Sequence, residues 1–160
     1  MSLQTATQEP AGIAPDLLQR LRKRLADSPA LSWLSPSLEE LGLDRCVLAL
    51  PLQERATNGS GTVHGGVLAM LADTAVAFAL ATNFDGKMGF ATADMTIHFL
   101  RRARGDVRAR ARIIKKGQRV NVGEVEIVDG DGREVARALA TFILTTSSFD
   151  YAPERKQAKT

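Results

Sequence analysis

Asp73 is the residue whose setting in this sequence most clearly requires a chemical explanation. It is the only charged residue between His64 and Asp85, in a stretch that is otherwise almost wholly apolar. Its neighbours about one helical turn away are small or apolar: Ala69, Met70, Val76 and Ala77. An isolated carboxylate is costly to bury, so Asp73 needs hydrogen-bond donors or a water-filled cavity beside it. It is therefore a candidate catalytic group, and the alternative is a structural carboxylate that caps a buried donor.

The segment His64-Gly65-Gly66, at the start of this apolar stretch, is typical of a helix start that can bind a developing anion. Two glycines let a ligand approach the backbone, and the first N–H groups of a helix lack intrahelical acceptors. Together with the positive end of the helix dipole, they can stabilise an oxyanion that forms on a reacting carbonyl. His64 is either part of this site or a packed or capping residue.

The spacing of these two features predicts that the protein works as a dimer. Gly65 and Asp73 are eight residues apart, which is about 12 Å along a helix axis. A reacting carbonyl needs its oxygen about 3 Å from the donor and its carbon about 3 Å from the attacking atom. The separation along the helix is therefore too long for one chain to supply both groups to one substrate. Two antiparallel helices about a two-fold axis would place Asp73 of one beside Gly65 of the other. The sequence thus predicts a homodimer with two composite sites.

A helix over residues 65–82 must carry these groups, and its apolar character on nearly every face requires other elements to cover it. Strand patterns are found from Cys46 to Gln53 and over residues 91–102, 106–115, 120–128 and 134–145. An amphipathic helix from Asp16 and a short helical turn at Leu38–Leu41 precede them. The predicted fold class is α+β, with an antiparallel sheet of five to six strands curled around one long helix.

The residue patterns of two strands also predict which side chains face the helix. In the strand over residues 120–128, Val120 and Val122 differ in phase from Val125 and Ile127, so a bulge at Gly123 is predicted to turn all four inward. In the last strand, Ala136, Ala138 and Ala140 share one face with Phe142 and Leu144, which leaves room for the helix. Residues 129–132, Asp-Gly-Asp-Gly, predict a hairpin between these strands.

The chain length and composition suit one domain in a reducing compartment. Residues 1–13 are predicted to be disordered, 14–43 helical, 44–147 the main domain and 148–160 a flexible tail. Cys46 is the single cysteine, and the first fifteen residues show no signal-peptide pattern, so a cytoplasmic location is expected. The apolar stretch holds a histidine and an aspartate, which disfavours a membrane span. A net charge of +3 is mild for a nucleic-acid-binding protein, and neither membrane nor nucleic acid is expected as a partner.

Over about residues 44–146 the sequence resembles the hotdog-fold thioesterases, and in particular the PaaI-like acyl-CoA thioesterases. The resemblance rests on loop residue Asn58, His64-Gly65-Gly66, helical Asp73, residues 92–95 (Thr-Ala-Asp-Met) and the turn Lys115-Lys116-Gly117. It implies that Gly65 supplies the oxyanion N–H and that Asp73 is nucleophile or general base. Asn58 would orient the carbonyl or the water, and Thr92 would support the carboxylate or water. His64 belongs to the same candidate catalytic set.

The resemblance also implies where the acyl-CoA substrate binds. Basic side chains suit the CoA phosphates, and the candidate CoA-binding residues are Gly66, Phe99, Arg101, Lys115, Lys116, Gly117, Gln118, Arg119 and Val120. No cofactor is expected beyond the CoA of the substrate. No metal is expected either, because no ligand cluster surrounds His64 or His98. Dimers of this family usually pair into tetramers, and the acyl group would be aromatic, such as phenylacetyl, or a medium or long chain.

Two other functions are compatible with the sequence. A hotdog dehydratase or hydratase would use His64 as acid or base beside a carboxylate, but the longer proline-containing loops of such enzymes are absent. A non-catalytic acyl-CoA-binding protein would be expected to lack the carboxylate or to carry an added pair of DNA-binding helices. Asp73 is present and no such pair is evident, so an acyl-CoA thioesterase is the favoured interpretation.

Overall fold

The computed structural model describes residues 13–148, and in that range the chain forms an antiparallel sheet and two α-helices. The helices are Leu17–Asp27 (α1) and Gly65–Ala81 (α2). The strands are Ser37–Gly42 (β1), Arg45–Leu50 (β2), Met88–Phe99 (β3), Val107–Lys115 (β4), Val120–Asp129 (β5) and Glu134–Ser148 (β6). They pair in the order β1-β2-β4-β5-β6-β3, so β1 and β3 are the edges of a six-stranded sheet. The predicted α+β class and the sheet around one long helix are confirmed.

Helix α2 lies in the concave face of the sheet and contacts every strand. Most of its side chains are buried, as a helix without a polar face requires. By length and composition the segment Gly65–Phe84 would suffice to cross a membrane. However, 61% of its apolar 18-residue stretch is buried inside the protein, as in a core helix. The half-exposed residues of α2 follow one stripe along the helix, which includes Ala69, Met70, Asp73, Thr74 and Ala77.

The predicted helical turn at Leu38–Leu41 is wrong, because these residues form β1. Leu38 and Leu41 are three residues apart, a spacing that normally indicates a helix. A register shift between Leu38 and Glu40 inserts one extra residue, Glu39, into the strand, so that both leucines point into the core. The sheet therefore begins before the boundary predicted at residue 44.

The predicted bulge at Gly123 is also wrong. Residues 121, 123, 125 and 127 alternate regularly on the buried face of β5, so Val120 and Val122 point to the outer face instead. The irregularity lies on the neighbouring strand, where the pairing of β4 with β5 shifts between Ile113 and Lys115. Gly123 serves close packing, because a Cβ built on it would clash with Val76 Cγ1 of α2.

We expect Gly123→Ala to lower the free energy of unfolding by about 1–3 kcal/mol, because the added methyl group overpacks the contact between helix and sheet. The loss should be smaller in a Val76→Ala background, where the clashing methyl group is gone. Chemical denaturation followed by circular dichroism measures both. Gly59→Ala is the matched control, since nothing lies within 4 Å of a Cβ at that position. Equal losses for Gly123→Ala in both backgrounds would contradict this packing role.

The remaining strands are close to the prediction. The strand predicted from Cys46 to Gln53 ends at Leu50, and the strand predicted over residues 91–102 spans Met88–Phe99. Ala136, Ala138 and Ala140 are buried on the inner face of β6, as predicted. The predicted disordered start and flexible tail lie outside the described residues, apart from Ile13 and Ser148.

Helix α1 begins within one residue of its predicted start and packs on the same core. Its leucines Leu17, Leu21 and Leu25 are buried, while its charged side chains lie on the other faces. Arg20 Nη2 donates a hydrogen bond to the carbonyl of Asp85, in the turn after α2, over 2.6 Å. This bond and the buried leucines hold α1 against β1 and the end of the central helix.

Candidate active site

Asp73 lies in the middle of α2 on its half-exposed stripe, and Thr92 of β3 contacts it. Thr92 Oγ1 donates a hydrogen bond to Asp73 Oδ1 over 2.7 Å. The pairing of β3 with β6 shifts between Thr92 and Asp94, so Ala93 is an extra residue in the strand. Bulges of this kind redirect side chains. The structure thus brings together the predicted carboxylate and the predicted hydroxyl.

The Asp73 carboxylate borders a cavity of about 290 Å³ that extends between four elements. Helix α2 contributes Thr74, Ala77 and Phe78, and the strands contribute Phe90, Ala91, Thr92 and Phe142. The remaining wall comes from α1 and the segment after it: Arg24, Leu25, Ser28 and Leu31. No site residue was predicted in α1 from the sequence. The apolar face of this amphipathic helix predicts that it packs on the domain, but it does not indicate which residues the helix contacts.

The start of α2 carries one N–H group that is already bonded and one that is not. His64 Nδ1 accepts a hydrogen bond from the Gly66 N–H over 2.9 Å, so His64 caps the helix. Within residues 13–148 the Gly65 N–H has no acceptor. Of the two adjacent glycines, only Gly65 therefore presents a free donor in this part of the chain. The imidazole Nδ1 of His64, in turn, is engaged as an acceptor.

Gly65 faces a second cavity, of about 420 Å³, and Asn58 lies beside it. Asn58 Oδ1 accepts hydrogen bonds from the Ser60 N–H, the Thr62 N–H and the Thr62 hydroxyl, over 2.9, 3.3 and 3.2 Å. Three donors on one oxygen fix the orientation of the amide, so its Nδ2 is the group that can donate to a ligand. The loop thus orients Asn58 as a donor next to Gly65.

The two cavities are separate in one chain. Gly65 and Asn58 line one of them, and Asp73 and Thr92 line the other. The predicted oxyanion donor and the predicted carboxylate therefore do not meet within a single copy, as their spacing along the helix indicates.

The predicted CoA-binding residues also divide into two groups. Phe99 and Arg101 line the cavity at Gly65, and a Cβ on Gly65 would lie 3.2 Å from the Phe99 ring. The turn from Lys115 to Val120 lies at the opposite end of α2. There Lys116 Nζ pairs with Asp44 Oδ2 over 2.8 Å and hydrogen-bonds Asn83 Oδ1 over 3.1 Å. Lys116 thus ties the turn to the end of the helix, while four other side chains of this group are exposed: Lys115, Gln118, Arg119 and Val120.

Comparison with known proteins decides the family. Residues 60–136 match the family model of the Thioesterase superfamily. A candidate esterase of Halobacterium salinarum is 33% identical over 140 residues, which cover 81% of this chain and 93% of the relative. The chain belongs to the thioesterase superfamily. As a member, it is a thioester hydrolase with the hotdog fold.

Two further similarities agree with membership in this superfamily. The acyl-coenzyme A thioesterase PaaI of Escherichia coli is 38% identical over 92 residues, which cover 56% of this chain and 64% of PaaI. The crystal structure of a thioesterase from Haemophilus influenzae superimposes with a TM-score of 0.74 at 25% identity, and covers 80% of this chain and 90% of that one. The resemblance seen in the sequence is therefore confirmed.

The single cysteine of this thioesterase lies in the core and lines neither cavity. Cys46 is fully buried in β2, and burial raises the pKa of its thiol, so the reactive thiolate form is disfavoured. Residues 13–148 contain no group of three histidine, cysteine, aspartate or glutamate side chains placed to hold a metal ion. Asp73 and the Gly65 N–H therefore remain the candidate catalytic groups.

Proposed function

We propose that this thioesterase hydrolyses an acyl-CoA to the free acid and CoA, with Asp73 as nucleophile or general base. The observation that carries the proposal is the Asp73 carboxylate, held by Thr92 at the edge of a cavity in an otherwise apolar helix. The similarity to a named acyl-coenzyme A thioesterase supports CoA as the thiol part of the substrate. A cytoplasmic location fits such a substrate and the single cysteine of the chain.

Asp73 and the Gly65 N–H allow two routes of thioester hydrolysis. As general base, Asp73 takes a proton from water while the water oxygen bonds to the thioester carbon. The carbonyl oxygen becomes an oxyanion that the Gly65 N–H stabilises. Collapse breaks the carbon–sulfur bond, and the CoA thiolate takes the proton from the Asp73 carboxyl group. As nucleophile, Asp73 would instead bond to the thioester carbon, expel the thiolate and leave an anhydride that water cleaves.

A second copy of the chain completes the site in this proposal. The stripe of α2 that carries Asp73 is half-exposed and built mainly of small residues, such as Ala69 and Ala77, so another helix can approach it closely. Strand β3 is an edge strand whose backbone groups on one side are open to pairing. An antiparallel pair of α2 helices would place Gly65 of one copy beside Asp73 of the other. Pairing of such dimers into tetramers stays a prediction.

The antiparallel pair of α2 helices also accounts for the separation of the predicted CoA-binding residues into two groups at opposite ends of α2. In an antiparallel pair, the turn Lys115–Val120 of one copy comes near the Gly65 end of the other. Arg101 from one copy and Lys115 and Arg119 from the other would then supply positive charge for the CoA phosphates. In this scheme Lys116 supports the turn, because its ammonium group already pairs with Asp44.

A thiol-release assay with purified full-length protein tests the proposed function. We expect release of CoA from at least one acyl-CoA in a panel of butyryl-, octanoyl-, palmitoyl- and phenylacetyl-CoA. Hydration of an enoyl-CoA without thiol release would support the dehydratase class instead. Tight binding of acyl-CoA without either reaction would favour a binding protein, and both of these outcomes would contradict the proposal.

A further inference from the structure

The cavity beside Asp73 has one wall that precedes residues 60–136, the part that matches the family. That wall is α1 with the segment after it, which contributes Leu25, Ser28 and Leu31. We propose that this N-terminal wall closes the acyl pocket and restricts the acyl group to one aromatic ring or a medium-length chain. The inference rests on the proposed function, because it concerns the acyl part of the same substrate.

The position of Asp73 indicates which cavity receives the acyl group. The thioester carbon has to lie about 3 Å from the attacking atom at this carboxylate. The cavity at Gly65 is bordered by Arg101 and Arg102, whose charges suit the phosphate-bearing part of the substrate. The cavity at Asp73 holds the attacking carboxylate, and the hydrophobic side chains of Leu25, Phe78 and Phe142 line it beside polar groups. The acyl group therefore extends from the carbonyl into the cavity beside Asp73.

The inner walls are shaped for a compact apolar group. Leu25, Leu31, Phe78 and Phe142 are all buried and present hydrocarbon or aromatic surface. The Phe90 and Phe142 rings pack edge to face, with centroids 5.6 Å apart. The cavity volume of about 290 Å³ is about twice that of an apolar cavity of ~150 Å³ that binds benzene in another protein. A phenyl ring or a medium-length chain fills such a space, and a palmitoyl chain exceeds it.

Polar groups on the α1 side set the end of the pocket. Arg24 and Ser28 are half-buried there, and a longer apolar chain that passed them would desolvate them without forming hydrogen bonds. The wall is held in place, since the Ser28 carbonyl accepts hydrogen bonds from the N–H groups of Leu31 and Ser32. Ser28 therefore lines the cavity from a fixed backbone.

Bulky residues at Ser28 test the wall directly. We expect Ser28→Leu and Ser28→Trp to lower kcat/KM for octanoyl- and phenylacetyl-CoA relative to butyryl-CoA by about tenfold or more, with the larger effect for tryptophan. Ala26→Trp is the matched control, because Ala26 is exposed on the same helix and does not line the cavity. Thermal unfolding of each variant shows whether it is folded, and Ser28→Leu retains the test if Ser28→Trp is not.

Each outcome of this experiment has a distinct meaning. A wild-type preference for octanoyl- or phenylacetyl-CoA over palmitoyl-CoA, together with the shift in the Ser28 variants alone, supports the inference. Active Ser28 variants with an unchanged acyl profile, or a wild type that prefers palmitoyl-CoA, would overturn it and leave the proposed function intact. A wild type that releases thiol from no acyl-CoA would overturn the proposed function and this inference together.

Discussion

Asp73→Asn is expected to lower kcat/KM for acyl-CoA hydrolysis by about two to four orders of magnitude, the usual contribution of a positioned general base. An amide can neither take the proton from water nor form an anhydride, so both routes lose their central group. The amide oxygen of the new side chain can still accept the hydrogen bond that Thr92 donates to the carboxylate. The local geometry should therefore persist, and thiol release under first-order conditions measures the loss.

Asp131→Asn is the control for this prediction. Asp131 is an exposed residue in the hairpin between β5 and β6, where its carboxylate pairs with exposed Arg133. Its replacement removes the same charge and changes the side-chain volume as little as Asp73→Asn does. Equal rates of thiol release for wild type and Asp73→Asn would remove Asp73 from the mechanism, whatever the control shows.

The separation of the candidate groups on the helix could be predicted because these residues are close together in the sequence. Gly65 and Asp73 lie on one regular element, whose 3.6-residue period fixes their separation before any tertiary contact is known. The long apolar stretch likewise identifies a central helix, and the alternation of Ala136, Ala138 and Ala140 identifies a strand face. Each of these inferences depends on the periodicity of residues within a single helix or strand.

The parts that were missed depend on contacts between elements. Leu38 and Leu41 have helical spacing, and only the pairing of β1 with β2 around an extra residue explains why both are buried in a strand. Gly123 is required by Val76, which is distant in sequence and lies on the helix. No local pattern indicates that Ser28 borders the cavity of Asp73, since that proximity arises when α1 packs on the core. The contact between Thr92 and Asp73 was indicated by the family resemblance rather than by spacing.

The oxyanion donor can be tested by a pair of substitutions at one position. Gly65 is the first residue of α2, where proline is well tolerated, and His64 before it has the extended conformation that a following proline favours. Gly65→Pro therefore removes the free N–H and keeps the helix, whereas Gly65→Ala keeps the N–H. Both add a Cβ near the Phe99 ring, so this contact is common to the two variants. We expect kcat of the proline variant to be about 100- to 1,000-fold below that of the alanine variant.

The same proline variant can show whether the site is shared between two copies. Gly65→Pro and Asp73→Asn alone should each retain only a small residual activity, because each removes one group from every site. A mixed dimer of the two would contain one site with an intact Asp73 from the first copy and an intact Gly65 from the second. Refolding equal amounts together should then restore about a quarter of the wild-type activity, since half of the dimers would be mixed and each would have one intact site. If both groups acted within one chain, the mixture would stay as inactive as its components.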